Sequence, residues 1–257
     1  MTRRVLLLGG VDPTGGAGIT ADAIVAALHG AWPLPIAVVL TAQNRRHFAA
    51  RFEVPAAQWR AALAAALADG EVHAIKTGLL GDGPVIAEVA AALRPLAADI
   101  PIVVDPVLSA TAGGLPASRA AAAAYTTHLL PLAALVTPNL PEAEALFGGD
   151  PASALATGCR AVLRKGGHGT GPFVDDVLSL PGSEATFRRA RLAVGAVHGT
   201  GCALASAIAA QLANGVDVAR ACALAGDWLH GLLRELGAPP ADGLPRALPL
   251  APTGTSR

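Results

Sequence analysis

Short, uninterruptedly apolar segments separated by longer alanine-rich ones constrain the fold most. Arg4–Gly9, Ile36–Thr41, Val72–Lys76, Pro101–Asp105, Leu135–Thr137 and Arg160–Lys165 have strand length and continuous apolar character. A strand apolar on both faces has to be covered on both faces, as in a parallel sheet sandwiched by helices. Gly18–Leu28, Ala56–Ala68, Pro84–Leu96, Ser118–Leu130 and Glu142–Leu146 are the matching helical stretches. This βαβα order predicts a doubly wound, mostly parallel α/β sheet with helices on both faces. Val174–Leu180 and Ala185–Leu192 flank Pro181-Gly182-Ser183, which predicts an antiparallel hairpin at a sheet edge. Helices over Gly201–Ala213 and Val218–Leu236 follow. No repeat or linker divides the chain, so one domain over residues 1–238 is expected. The stretch 239–257, rich in proline and small residues, is expected to be poorly ordered.

Composition removes several classes of function. With a formal net charge of +0 and 15% charged residues, the chain offers no sequence-wide electrostatic case for nucleic acid. At 53% hydrophobic residues it is far too apolar for a disordered polar segment. Cys159, Cys202 and Cys222 are odd in number and lack C-x-x-C spacing, so neither a disulfide framework nor a structural zinc site is indicated. The uncharged span Ala23–Asn44 is broken by His29, Gly30, Pro33 and Pro35, which fits two elements and a turn better than a membrane span. The apolar run Val5–Leu8 is too short for a secretory signal, and a soluble, cytoplasmic protein is expected.

Ligands of open α/β sheets bind beyond the carboxyl ends of the strands, and the unusual residues fall there. After the first strand comes Gly9-Gly10-Val11-Asp12-Pro13-Thr14-Gly15-Gly16-Ala17-Gly18, which is neither a Walker A loop nor a dinucleotide fingerprint. Gly10, Gly16 and Gly18 permit either a flexible helix-entry turn or close backbone approach to a small ligand. Near the C-terminus, His198-Gly199-Thr200-Gly201-Cys202 opens a helix. Unpaired N–H groups there, at the positive end of the helix dipole, suit an anion. Cys202 in the first turn is either a thiolate favoured by the dipole or a small buried hydrophobe. Asp105 ends a strand and Glu142 follows Thr137-Pro-Asn-Leu-Pro141. Each fits a cap or first-turn residue, and together they could hold Mg²⁺ through water.

Seven segments then fall in one order: Asp12-Pro-Thr-Gly-Gly-Ala-Gly-Ile-Thr-Ala-Asp22, Leu40-Thr-Ala-Gln-Asn44, Ala74-Ile-Lys-Thr-Gly78, Val104-Asp-Pro-Val107, Thr137-Pro-Asn-Leu-Pro-Glu-Ala-Glu144, Lys165-Gly-Gly-His168 and His198-Gly-Thr-Gly-Cys202. From Val5 to about Leu236 the series resembles the hydroxymethylpyrimidine/phosphomethylpyrimidine kinases of thiamine biosynthesis, in the ribokinase superfamily. The resemblance implies a ribokinase-like fold and an ATP- and Mg²⁺-dependent kinase. Its substrate would be 4-amino-5-hydroxymethyl-2-methylpyrimidine and then its monophosphate. It further implies that Gln43 bonds the aminopyrimidine edge and that the Asp12–Gly18 loop closes over the substrate. Gly199, Thr200, Gly201 and Cys202 would form the catalytic anion hole, with Cys202 taking the hydroxyl proton. Asn139 and Glu142 match the superfamily's N-x-x-E magnesium motif, and Lys165 lies on the nucleotide side unless it is a surface lysine. A homodimer is implied as well.

The chain departs from that pattern in places. Thr77 stands where relatives carry a hydrophobic residue, and Leu79 where methionine is frequent. Arg45-Arg46-His47 replaces small or polar residues. Ala225-Gly226-Asp227-Trp228 falls where relatives have a lysine near an aromatic, so one phosphate-holding lysine is missing and a guanidinium of Arg45 or Arg46 is a candidate substitute. Pyridoxal kinase activity on the same fold and a non-catalytic pyrimidine-binding homologue are the alternatives.

Overall fold

The computed structural model describes residues 2–44, 46–108 and 118–250, so Arg45 of the pair singled out above lies outside the described residues. The first half runs β1 (Arg3–Val11), α1 (Gly18–Leu28), β2 (Ala31–Gln43), β3 (Phe48–Glu53), α2 (Ala56–Ala68), β4 (Ala74–Thr77), α3 (Gly83–Leu93), β5 (Ile102–Val104) and α4 (Arg119–Ala124). The second half runs β6 (Leu135–Val136), α5 (Leu140–Phe147), α6 (Pro151–Leu155), β7 (Val162–Arg164), β8 (Phe173–Leu180), β9 (Ser183–Ala190), β10 (Val197–His198), α7 (Thr200–Ala213), α8 (Val218–Glu235) and β11 (Arg246–Ala247).

Among the described residues, nine strands form one sheet in the order β3-β2-β1-β4-β5-β6-β7-β8-β9. The six from β2 to β7 are parallel, and the expected hairpin β8–β9 pairs antiparallel from Phe173↔Ala190 to Leu180↔Ser183. Successive residues of β1 feed opposite faces. Leu6 and Leu8 join Trp59 of α2, Ile86 of α3 and Leu146 of α5. Val5 and Leu7 join Val25 of α1, Ile208 of α7 and Cys222 of α8. Burying both faces is what the continuous apolar runs require.

Three elements differ from the sequence expectation. β2 starts five residues early and contains Pro33 and Pro35, which face β1 in register. The antiparallel partner β3 reaches only Val39–Gln43, so those prolines occupy the stretch of β2 without a second neighbour, where a missing N–H costs no ladder bond. β3 itself was not foreseen, because Phe48-Ala-Ala-Arg-Phe-Glu53 is short and weakly patterned. The Ser118–Leu130 helix is instead α4, capped by the Ser118 side chain, followed by a wide π turn over Tyr125–Leu129.

Part of the 239–257 stretch packs on the domain. Arg246 and Ala247 pair in parallel with Val197 and His198, and Leu248 and Leu250 are buried in the α1/α7/α8 cluster. Two apolar side chains at alternate positions give residues 246–250 a reason to dock that the flanking prolines conceal. No helix among the described residues is long and apolar enough to cross a membrane.

Candidate active site

A cavity of about 820 Å³ opens at the carboxyl ends of the parallel strands, at the position expected for open α/β sheets. Its wall includes Gly10, Asp12, Gly18, Gln43, Asp105, Asn139, Glu142 and Lys165, and the turn Gly199–Cys202. The structure thus brings together every candidate residue except Gly16, which is not on the wall. A Cβ at Gly16 would lie 3.0 Å from the His198 ring, so this glycine lets the loop pack closely on the turn that opens α7.

The loop after β1 is built by its own polar groups. Asp12 accepts from the Thr14 N–H at 2.9 Å and the Thr14 hydroxyl, and its Oδ2 lies 2.8 Å from His198 Nε2. Burial favours the acid, but the bonds from His198 and Thr14 outweigh it and hold the Asp12 carboxyl below its ordinary range. Asp12 thus organises the loop while it stands in the cavity wall. Gly18, at φ +61, and Gly199, at φ +82, occupy backbone conformations open to glycine, and a Cβ on either would overlap a carbonyl oxygen, of Gly10 and Gly16 respectively. The two glycine segments therefore nest against each other. α7 begins at Thr200 with no side-chain cap, leaving its first-turn N–H groups at the cavity wall.

Below this turn lies a buried pair that the sequence reading passed over. Lys76 Nζ donates to Asp22 Oδ2 at 2.7 Å, and Ser206 donates to the other Asp22 oxygen at 2.8 Å; Lys76 and Asp22 are all but inaccessible to solvent. Both residues stood in the recognised segments, and an aspartate in α1 with a lysine in β4 gave no local signal of pairing. Lys165 donates to Asp105 Oδ1 at 2.8 Å, and Thr137 donates to the same oxygen at 3.2 Å. Lys165 is thus not a surface lysine. Burial opposes its charge, but Asp105 outweighs it and raises the ammonium's pKa; burial raises the Asp105 carboxyl, and Lys165 with Lys76 brings it below its ordinary range.

Asn139 and Glu142 form a reciprocal cap of α5: Glu142 N–H donates to Asn139 Oδ1 at 2.9 Å, and Asn139 N–H to Glu142 Oε2 at 2.8 Å. Burial pushes the Glu142 carboxyl up to about 7, with Asp105 adding to it against Lys165. No cluster of three or more His, Cys, Asp or Glu side chains suited to a metal occurs among the described residues. Asp105 and Glu142 are two carboxylates already in use: Asp105 Oδ1 accepts from Lys165 and Thr137, and Glu142 accepts from the main-chain N–H groups of Asn139 and Leu108.

Cys202 stands at the wall, but its thiol is not primed. Burial pushes it up to about 12, Asp22 and Asp105 reinforce the shift, and Lys76 only partly offsets it. Of the two alternatives for Cys202, desolvation with two nearby carboxylates favours the neutral thiol in the ligand-free protein. Gln43 Oε1, by contrast, is buried with no hydrogen-bond partner in a side chain that lines the cavity. The Thr77 hydroxyl is likewise buried and unpartnered, and nothing in the structure explains it.

A phosphomethylpyrimidine kinase family profile matches residues 12–241. A hydroxymethylpyrimidine/phosphomethylpyrimidine kinase of Rhizobium meliloti is 37% identical over 244 residues, covering 91% of each chain. Among solved structures, an ADP complex of Bacillus subtilis pyridoxal kinase superposes with a TM-score of 0.82 at 27% identity, over 91% of this chain and 93% of that one. A phosphomethylpyrimidine kinase from Clostridium difficile gives a TM-score of 0.77 at 27% identity, over 90% and 99%. With nine-tenths of its length aligned and its ordered glycine and carboxylate motifs gathered round one cavity, the chain belongs to the phosphomethylpyrimidine kinase family.

Proposed function

We propose that the protein phosphorylates the hydroxymethyl group of 4-amino-5-hydroxymethyl-2-methylpyrimidine, and then the resulting monophosphate, with ATP as donor. The observation that carries this reading is the orphaned Gln43 Oε1. A buried amide oxygen without a partner costs about 1–3 kcal/mol, and an exocyclic amine of a pyrimidine repays that cost. The amide NH₂ then faces the adjacent ring nitrogen, so one side chain reads a donor and an acceptor together.

The site fits a nucleotide. Gly201 has no side chain where a Cβ would lie 3.1 Å from Lys165 Nζ, so the lysine reaches the uncapped start of α7. When bound, ATP supplies the γ-phosphoryl group. Lys165 and the N–H groups of Thr200, Gly201 and Cys202 hold the charge that develops on transfer. Lys76, locked on Asp22, adds a buried positive charge close to Cys202. Cys202, as a neutral thiol, contacts the acceptor hydroxyl, whose proton leaves on a phosphoryl oxygen as the new O–P bond forms. Mg²⁺ would be reached through water from Asp105 and Glu142, since two occupied carboxylates do not make a cage. Gly10 and Gly18 bring the backbone up to the pyrimidine, and Asn139 with Glu142 fixes the nucleotide side of the wall.

We further propose a cytoplasmic homodimer joined across the β2–β3 edge, where Trp32 and Phe52 are more than half exposed. Pyridoxal is the competing acceptor, because a pyridoxal kinase is among the superposable structures. Measuring kcat/KM for the pyrimidine alcohol, its monophosphate and pyridoxal side by side decides between them. The pyrimidines should lead by at least tenfold; a lead for pyridoxal would reverse the assignment, and no turnover of any acceptor would leave a binding protein.

A further inference from the structure

Gly226 lies on the cavity side of α8, a helix without a lysine, and the space left by its missing side chain is filled. A Cβ at this position would overlap the guanidinium of Arg189, which reaches across from β9. Both residues line the cavity, on the same side as Lys165 and Gly167.

The guanidinium is pinned rather than loose. Arg189 Nε donates to Asp227 Oδ1 at 3.0 Å, Nη2 to the Ala223 carbonyl at 3.0 Å, and Nη1 to Asp176 Oδ2 at 3.4 Å. Asp176 in turn accepts the Gly166 N–H at 2.9 Å, next to Lys165. One carboxylate therefore ties the arginine to the glycine turn that follows β7. A guanidinium has five N–H groups, and three are used. The Arg189 side chain is 11% exposed, whereas Asp227 is 73% exposed, so water screens much of Asp227's charge. A fixed cation in a partly desolvated wall, with donors to spare, is suited to phosphate oxygens.

We infer that Arg189, seated on Gly226, is the residue that holds the polyphosphate of the nucleotide in this protein and takes the place of the absent α8 lysine. The glycine is the condition for this placement, because any side chain at 226 would displace the guanidinium. The Arg45/Arg46 candidate, which concerns the substrate's monophosphate, is a separate one: Arg46 is an exposed loop residue, and Arg45 lies outside the described residues. The role of Arg189 rests on the kinase reading above.

Calorimetric binding of ADP, AMP and adenosine tests it without turnover. Arg189→Ala should weaken ADP by about 10- to 100-fold, the range set by charged hydrogen bonds, and leave adenosine within about twofold. Adding Gly226→Lys to Arg189→Ala should restore most of the ADP affinity. If the alanine variant does not fold, Arg189→Gln keeps the stem and a donor for Ala223 and is read in the same way. Unchanged ADP affinity, or adenosine weakened as much as ADP, would overturn the inference and leave Arg189 as a wall-supporting ion pair. Wild-type protein that binds neither ADP nor adenosine would instead refute the kinase reading itself.

Discussion

Gln43 and Cys202 carry opposite lessons about single residues. The amide is an expensive buried group with an unmet acceptor, so its value is realised only on binding. Gln43→Ala should raise KM for the pyrimidine alcohol by roughly 5- to 150-fold, the equivalent of about 1–3 kcal/mol, while KM for ATP stays near normal. An unchanged pyrimidine KM would remove Gln43 from base recognition. Cys202 was legible as a site residue from its glycine context, but its protonation state was not. The carboxylates that raise it, Asp22 and Asp105, come from α1 and the end of β5, remote in sequence. With the thiol raised to about 12, iodoacetamide at pH 7.5 should label Cys202 slowly in the ligand-free protein. Cys202→Ala should lower kcat by less than the about 10²–10⁴-fold that a poised general base contributes. Rapid labelling together with a loss in the upper part of that range would restore the thiolate.

Individual elements position the chemistry through their ends. The start of α5 is a reciprocal Asn139–Glu142 cap that also places a raised carboxyl beside Lys165 and Asp105. An acid held above its unfolded value binds its proton more tightly in the fold. The stability it contributes is therefore greatest below pH 4.5 and is lost as pH rises toward about 7. Glutamine serves equally at this position of a cap, so Glu142→Gln should keep the helix and flatten the fall in ligand-free melting temperature between pH 4.5 and 7. Identical pH profiles for the two proteins would show that Glu142 ionises like an exposed acid. The cap itself could be foreseen from Asn-x-x-Glu, whereas the raised pKa depends on contacts that only the sheet creates. The bounds of α1 and α2 match the sequence expectation to the residue. β3 does not, because an edge strand is defined by its partner more than by its own pattern.

For the molecule as a whole, the order of apolar runs was enough to specify a parallel sheet covered on both faces, and the edge hairpin followed from a three-residue turn. The docking of residues 246–250 was not legible, since Leu248 and Leu250 gain their environment only once α1, α7 and α8 are assembled. The site shares this division. Its glycine turns and carboxylates are sequence-local, but the pairs Lys76–Asp22, Lys165–Asp105 and Asp12–His198 each join distant segments at one end of the sheet. On the proposed reading, that convergence puts recognition of the pyrimidine and charge stabilisation for both phosphorylations in one cavity. The most direct test is a ³¹P NMR time course of the purified protein with ATP, Mg²⁺ and 4-amino-5-hydroxymethyl-2-methylpyrimidine as sole acceptor. The pyrimidine monophosphate should appear first and then decline as the diphosphate grows, with ADP accumulating in step; ATP that stays intact, or is consumed with no phosphorylated pyrimidine formed, would contradict the assignment.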